Sequence, residues 1–395
     1  MLKCIITLFV VHLLAINGNA QKTISEADAV NMALKNSNNI SAAGLSIIQQ
    51  KQLLKSTINL PNPEVFIESP TGNFYTGSIT QSIEFPSVYG KQYQLQKQKI
   101  VLAEKEKGLL ENEVKLQVNQ LYLLLQYAVA LKQQLFIQDT VYQRISNAGS
   151  RQFDAGQIDY LQKTVAESHY GEVHNQYIQS QISIANLQSQ LQYLTGLREV
   201  FTVFPLGNNP LADVIAPMDS AAFGTNPSLQ IANQNSIISQ KNIDLQKAKA
   251  LPGLALGYFN QGESSTPINN RFRFGFTIPL WFGQYKSNIA AAKTDFDINK
   301  QKANGLQQQL SIQLLQAQNE VAVYTQSLQY YQTIGLKKVN DIINTAKRLF
   351  DNGQNDYISY LRNINDAYLI QLKYLEAIKN YNLSVLSIKY LTGTL

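Results

Sequence analysis

The sequence predicts a mainly helical chain, internally duplicated in tandem, with four β-strands in two hairpins that only several copies together can close. Three observations carry this expectation. One set of markers is written twice in the same order. Two stretches just after prolines alternate with the period-two pattern of strands. Two very long stretches without proline repeat apolar residues every three or four positions.

The chain has 395 residues, 45% hydrophobic and 15% charged, a charged fraction well below that of ordinary soluble domains. Its start reads as a leader. Met1-Leu2-Lys3 is positive, Cys4 to Ile16 is apolar, and Asn17-Gly18-Asn19-Ala20 ends on small residues, so residues 1–20 are expected to be a cleaved signal peptide. The apolar run is too short for a membrane-spanning helix. The single Cys leaves with the leader, so the exported chain has no disulfide and no thiolate. His169 and His174 stand five apart on a polar helix and do not share a face. Acid–base, nucleophilic and metal chemistry therefore lack their usual residues, and no catalytic residue, metal ligand or cofactor is expected. Net charge is +6 with pI ≈ 9.0, but the basic residues are scattered along the chain, with no stripe to hold nucleic acid.

The duplication supplies the organisation. Phe153-Asp154-Ala155-Gly156-Gln157-Ile158-Asp159-Tyr160 returns as Phe350-Asp351-Asn352-Gly353-Gln354-Asn355-Asp356-Tyr357, and Leu194-Thr195-Gly196 returns as Leu391-Thr392-Gly393. Leu60-Pro61 matches Leu251-Pro252, and Pro86 with Gly90 matches Pro279 with Gly283. The first repeat, 21–196, opens with a helix that Thr23 and Glu26 cap as a box and that runs to about Ile58, before Pro61 and Pro63. A hairpin at about 63–86, a long helix at about 91–149 and a returning helix at about 157–195 follow. Residues 197–225, with Pro205, Pro210 and Pro217, read as a linker. The second repeat, 226–395, has its own first helix from Asn226-Pro227 to Pro252, a hairpin at about 253–280, a long helix at about 285–350 and a returning helix at about 357–392.

Apolar positions Val114, Val118, Leu121, Leu125 and Ala128 recur as Leu310, Leu314, Ala317, Val321 and Tyr324, the seam of a coiled coil. Gly108 and Gly305 are the weak points where such helices could kink. Gly156 and Gly353 suit the left-handed end of a helix, and Asp159 and Asp356 suit the cap of the next. The returning helices are shorter than the outgoing ones, so the first helix of each half is expected to continue them end to end.

In the hairpins, Ile79 and Ile83 alternate with Thr76, Ser78 and Thr80, and Phe272, Phe274 and Phe276 with Arg271 and Arg273. A sheet in lipid must close, yet four strands per chain fall short of the about eight of the smallest bacterial barrels. Three copies would supply about twelve strands under cyclic symmetry. Ile79, Ile83, Phe272, Phe274 and Phe276 then face lipid, and Thr76, Ser78, Thr80, Arg271 and Arg273 line a water-filled lumen. Trp281, Phe282, Phe85 and Tyr258 are expected at the lower rim.

The order helix, hairpin, long helix, glycine turn and returning helix, written twice, resembles the TolC-like outer-membrane efflux proteins. Thr23-Ile24-Ser25-Glu26-Ala27-Asp28-Ala29-Val30, Leu60-Pro61-Asn62-Pro63, both glycine turns and both Leu-Thr-Gly ends carry the resemblance. It implies a homotrimer whose shared β-barrel of twelve strands in the outer membrane of a Gram-negative bacterium continues into an α-helical barrel in the periplasm, girdled at 197–225. It implies a passive exit duct that meets a periplasmic adaptor protein and a proton-driven inner-membrane transporter. Phe153, Asp154, Gly156, Gln157, Asp159, Phe350, Asp351, Gly353, Gln354 and Asp356 would form the docking tip. Where some relatives narrow the mouth with acidic residues, this chain has Ser359 and Arg362, the candidate aperture residues. Many relatives also carry an acylated N-terminal cysteine that is missing here, so no lipid anchor is expected. The length is more like that of the heavy-metal efflux subgroup. A periplasmic coiled-coil adaptor or scaffold is the alternative reading. An enzyme would need convergent carboxylates, and Glu64, Glu68 and Glu84 are assigned instead to the lumen.

Overall fold

In the computed structural model of the chain, residues 22–69, 72, 75–207, 223–260 and 267–395 are described. The leader at 1–20, Pro210 and Pro217 lie outside them.

The N-terminus departs from expectation. Lys22–Ile24 (β1) pairs in parallel with Phe201–Val203 (β4), and the Thr23 and Thr202 hydroxyls stand 3.0 Å apart. With Thr23 held in a strand, Ser25 caps the first helix: its Oγ accepts from the Asp28 N–H at 3.1 Å and donates to the Asp28 carboxylate at 2.7 Å. That helix, Glu26–Asn36 (α1), does not run through to Ile58. Ser37 is extended and its side chain caps a second helix, Asn38–Lys55 (α2), followed by a 3₁₀ turn, Ser56–Ile58.

Strands Glu64–Glu68 (β2) and Thr76–Ile83 (β3) lead into Pro86–Asp154 (α3), which starts earlier and ends later than the periodicity predicts. Proline is tolerated at a helix's first turn, where its missing N–H has no partner to lose, so Pro86 starts this one. At 1.5 Å per residue its 69 residues span about 100 Å. Asp159 caps Tyr160–Thr195 (α4) through a full box with Gln162. In the second repeat Asn226 caps Pro227–Lys249 (α5), and strands Gly253–Asn260 (β5) and Phe272–Thr277 (β6) follow. Phe282–Tyr330 (α6) continues through a π turn, Tyr331–Gly335, into Leu336–Asp351 (α7), and Tyr357–Thr392 (α8) returns. The interruption thus falls at the π turn and at neither Gly108 nor Gly305, both of which lie within unbroken helix. Gly335 is small for a reason: a Cβ there would meet Tyr331 at 3.1 Å and Ile370 at 3.3 Å.

The chain divides into two compact units. One comprises 1–36, 114–213 and 318–386, the other 37–113, 214–317 and 387–395. Each draws on both repeats, so the duplication is not a division into two domains.

In the first unit, Ile24, Ala29, Ala33, Val118, Tyr122, Leu125, Leu191 and Phe201 form a buried cluster. Tyr122 ties it to the small sheet: its hydroxyl donates to the Ile24 carbonyl at 2.9 Å and accepts from the Phe204 N–H at 3.2 Å. Burial pushes its pKa up. Asn36 Nδ2 donates to the Leu194 carbonyl at 3.2 Å, next to Gly196, whose φ is 74°.

The second unit repeats that junction with other residues. Asn226 Nδ2 donates to the Leu391 carbonyl at 2.8 Å while its Oδ1 accepts from the Leu229 N–H at 3.0 Å. Each Leu-Thr-Gly end therefore meets an asparagine just ahead of a helix: Asn36 closes α1 and precedes α2, and Asn226 caps α5. The threonine hydroxyl donates back to a helix carbonyl, Thr195 to Leu191 at 2.7 Å and Thr392 to Ile388 at 2.9 Å. A Cβ on Gly393 would stand 2.3 Å from the Thr225 carbonyl oxygen. Within this unit Gln96 donates to Gln50 and Gln234 donates to Gln98, backbone and side chain alike.

Gly393→Ala is expected to destabilise the protein well beyond Gly156→Ala. Both positions need a left-handed residue, at about 1–2 kcal/mol for a side chain, but the space beyond Gly156 is open. Thermal unfolding followed by circular dichroism compares them, and equal losses would remove the Thr225 contact from the account. Tyr122→Phe is expected to cost about 1–3 kcal/mol, since it strands two backbone groups; an unchanged unfolding midpoint in denaturant would contradict this.

Candidate functional site

Two constellations hold the residues singled out by sequence, one in each unit. The first is the sheet of the second unit. Its four strands run β2-β3-β5-β6, every neighbouring pair antiparallel. The two hairpins therefore join through β3 and β5 into one sheet, in place of two separate ribbons.

Register decides the faces, because residues directly opposite in an antiparallel pair share a side. Ile79 stands between Val65 and Tyr258, and Ile83 stands opposite Leu254. Leu254, Leu256 and Tyr258 in turn oppose Phe276, Phe274 and Phe272. Ile67 and Gly77 continue this side. One face is thus mainly apolar across all four strands, interrupted by Gln81 opposite Leu256 and Asn260 opposite Gly77, and open: Phe274 is 82% exposed, Ile67 75% and Phe276 73%. The other face carries Glu64, Glu68, Thr76, Ser78, Thr80, Gly257 and Arg273, with Phe66 opposite Ser78.

On that second face Phe259 lies over Gly257, where a Cβ would meet its ring at 2.8 Å, and the Arg273 guanidinium sits 3.8 Å from the ring centroid. Arg271 departs from the expected alternation. It ends a 3₁₀ turn, Ile268–Arg271, ahead of β6, and its Nη1 donates to Asn260 Oδ1 at 2.9 Å. Tyr258 departs too. It sits near the far end of β5, its ring 5.5 Å from that of Phe272, while Phe85, Trp281 and Phe282 adjoin the end where the helices leave. Glu84 lies beyond β3, and its N–H donates to the Tyr89 hydroxyl at 3.1 Å. Among the described residues no group of three or more His, Cys, Asp or Glu could hold a metal ion. Among them, too, no helix is long and apolar enough to cross a membrane.

The second constellation is the pair of glycine turns in the first unit. Gly156 has φ 70° and Gly353 φ 67°. Around each, the same two bonds close the helix: Gly156 N–H to Phe153 carbonyl at 2.9 Å and Gln157 N–H to Gln152 carbonyl at 2.8 Å, then Gly353 to Phe350 at 3.0 Å and Gln354 to Leu349 at 2.9 Å. Asp159 and Asp356 both cap the next helix, accepting from Gln162 N–H and Ser359 N–H at 2.8 Å each. The Ser359 hydroxyl also donates to Asp356 at 2.8 Å, and these bonds lower the Asp356 pKa. Ser359 is therefore engaged in capping, whereas Arg362, one turn on, is exposed. Asp351 pairs with Lys347 at 3.0 Å, and Asp154 is exposed.

The two turns are alike in backbone and unlike in packing. Phe153 meets Tyr160 edge-on at 6.0 Å, with Lys163 5.0 Å from its ring, and Tyr160 remains 69% exposed. The equivalent Tyr357 is 3% exposed; its hydroxyl donates to the Ile145 carbonyl at 2.5 Å, and its ring lies against Phe350 at 5.5 Å. Gly149 makes room, since a Cβ there would stand 2.8 Å from the Tyr357 hydroxyl. Tyr142, Tyr357, Leu361, Ile364 and Tyr368 share one buried cluster. Reading the turn motif alone misses this cluster; the signal for it is the spacing of Tyr357, Leu361, Ile364 and Tyr368 by three and four.

Residues 220–394 match the family of outer membrane efflux proteins. No curated protein matches the sequence. Among solved structures, the fold is similar to that of CusC, with TM-score 0.78 and 16% identity over 96% of this chain and 95% of that one. It is similar to a membrane protein from Pseudomonas aeruginosa, with TM-score 0.79 and 14% identity over 95% and 91%. The CmeC outer membrane channel of Campylobacter jejuni gives TM-score 0.76 and 16% identity over 93% and 85%.

Burial holds the Tyr357 hydroxyl neutral, with its pKa pushed up to about 12 from 10.0. The unfolded chain releases this proton first, so the stabilisation is complete below pH 10 and is lost as pH rises towards 12. Thermal unfolding between neutral pH and pH 11 is expected to show a loss that Tyr357→Phe reduces; the same alkaline loss in the variant would assign it elsewhere.

Proposed function

We propose, from the match of residues 220–394 to the outer membrane efflux protein family, that this chain is the outer-membrane exit duct of a tripartite efflux system. One observation carries the reading: a sheet of four strands, mainly apolar and exposed on one face, mainly polar on the other, whose edges among the described residues are β2 and β6. Lipid offers no hydrogen bonds to such edges, so they need partner strands. Three copies joined edge to edge make a barrel of about twelve strands, within the range of known membrane barrels. The eight residues of β3 and of β5, at about 3.3 Å each, run about 26 Å along the strand, or about 20 Å of height at the tilt of known barrels, most of their apolar band of about 25 Å.

In this barrel Ile79, Ile83, Phe272, Phe274 and Phe276 face lipid. Thr76, Ser78, Thr80 and Arg273 face the lumen, with Arg271 at the loop end. Exposed Ile312, Leu315 and Val323 on α6 suit contact between the helices of neighbouring copies. The glycine-turn end, with Phe153, Gln157, Phe350 and Gln354, is the docking end for a periplasmic adaptor, behind which an inner-membrane transporter supplies the energy. Arg362, exposed where Ser359 is engaged in capping, is the residue placed to narrow the mouth. The duct itself performs no chemistry on what it passes.

Cell fractionation tests the reading: the mature protein should sediment with the outer membrane and need detergent for release. Recovery as a dissolved periplasmic protein would end it and favour an adaptor or scaffold. Phe274→Arg should cost about 2–4 kcal/mol where the residue meets the middle of the bilayer, whereas tolerance of this change in trimer assembly would move that face out of lipid. Changing Arg271 and Arg273 to Glu should shift the ion selectivity of channels in planar bilayers, and unchanged selectivity would remove both from the lumen.

A further inference from the structure

The end of the sheet where the helices join carries a charge pattern that the duct reading leaves unused. β5 begins there and β3 and β6 end there, so α3, α5 and α6 adjoin it, and α2 approaches through its 3₁₀ turn. Residues 45–60, 82–99, 240–252 and 278–293 contain ten lysines and two carboxylates, Glu84 and Asp244. That excess is larger than the +6 of the entire chain. By contrast, residues 139–167 and 341–366, around the glycine turns, hold six basic and eight acidic residues. The basic residues expected to be scattered are scattered only along the sequence; the topology gathers them. Among the described residues, only Lys51 and Lys91 of the ten reach a carboxylate, Glu104 at 4.0 Å and Asp244 at 3.9 Å. Lys55, Lys247, Lys249 and Lys286 are exposed.

Between these lysines and the strands stands an apolar rim. Leu280 is 70% exposed, Trp281 83% and Phe282 68%. A pocket of about 400 Å³ opens here, with Leu251, Ile278 and Trp281 on its apolar side and Ser82, Gln284 and Lys249 on its polar side; Glu84 also lines it.

We infer that this end of the sheet binds anionic phospholipid, its phosphates on the lysine collar and its acyl chains against Trp281, Phe282 and the apolar face. The inference rests on the duct reading, which sets the apolar face in the bilayer and the helix ends just beneath it. An aromatic belt by itself would explain Trp281 and Phe282 but not the lysines. A lysine at this depth lays its apolar stem along the rim and holds its ammonium at the level of the phosphates. Several such charges favour a negatively charged leaflet, and salt screens the attraction. Lys249 lines the same pocket as Ser82, Glu84, Trp281 and Gln284.

The test transfers the full-length, detergent-purified protein into vesicles of phosphatidylcholine alone or mixed with phosphatidylglycerol. At low salt, incorporation into the mixed vesicles is expected to be at least about tenfold greater, and the preference should vanish at high salt. A triple variant, Lys247→Gln, Lys249→Gln and Lys286→Gln, should enter both vesicle types equally, while the three arginine replacements keep the preference. Equal incorporation of the wild-type protein into both, or a preference that survives the glutamine changes, overturns the inference. If the glutamine variant fails to fold, the salt series on the wild type and the arginine variant still decides. Failure of the duct reading looks different: the protein would enter neither vesicle and stay in solution without detergent.

Discussion

Backbone hydrogen bonding at the edges of a four-stranded sheet governs the rest of this structure. Among the described residues β2 and β6 each have one strand neighbour, so each leaves a row of N–H and C=O groups open there. In water such an edge would be tolerable. Beside an apolar face holding Phe274 and Ile67 at more than two-thirds exposure it is not, because the medium that suits those side chains satisfies no backbone group. In the proposed assembly the conflict disappears because strands of further copies cover both edges. In the proposed barrel the second face, with Thr76, Ser78, Thr80 and Arg273, lines the water-filled lumen.

The helical part meets a related constraint at its helix ends. A helix leaves its last carbonyls without internal partners, and the duplicated Leu-Thr-Gly sequence answers this in both places. The glycine turns left-handed, the threonine hydroxyl bonds back, and an asparagine at a first helix takes the leucine carbonyl. Each returning helix is in this way joined by hydrogen bonds to an asparagine just ahead of another helix, α2 in the first repeat and α5 in the second. The copies have diverged where they need not be alike. Tyr160 and Tyr357 hold the same place in their repeats, yet one lies open and the other is buried under Gly149. Likewise the π turn at Tyr331–Gly335 interrupts only one of the two long outgoing helices.

Much of this was legible from residue patterns because it depends on local rules. The period-two stretches, the glycine turns and the capping aspartates each act over a few residues, and their backbone geometry agrees with the pattern. Three readings failed where distant partners intervene. Thr23 satisfies the pattern of a capping box, but pairing with Thr202 draws it into a strand and leaves Ser25 to cap. Arg271 continues the alternation in sequence but falls in a 3₁₀ turn bonded to Asn260. Tyr258 belongs to the same aromatic class as Trp281, but strand direction carries it to the opposite end of the sheet.

By itself the sequence determined the duplication, the alternation of each hairpin and the left-handed glycines, since these are properties of neighbouring residues and their backbone preferences. It also determined that four strands are too few to close. Only tertiary structure decided that the two hairpins pair through β3 and β5, which aligns separate apolar sides into one continuous face. Only tertiary structure gathered lysines from four distant segments at one end of that sheet. Register and topology relate residues far apart in the chain, and no local preference encodes which of them will meet.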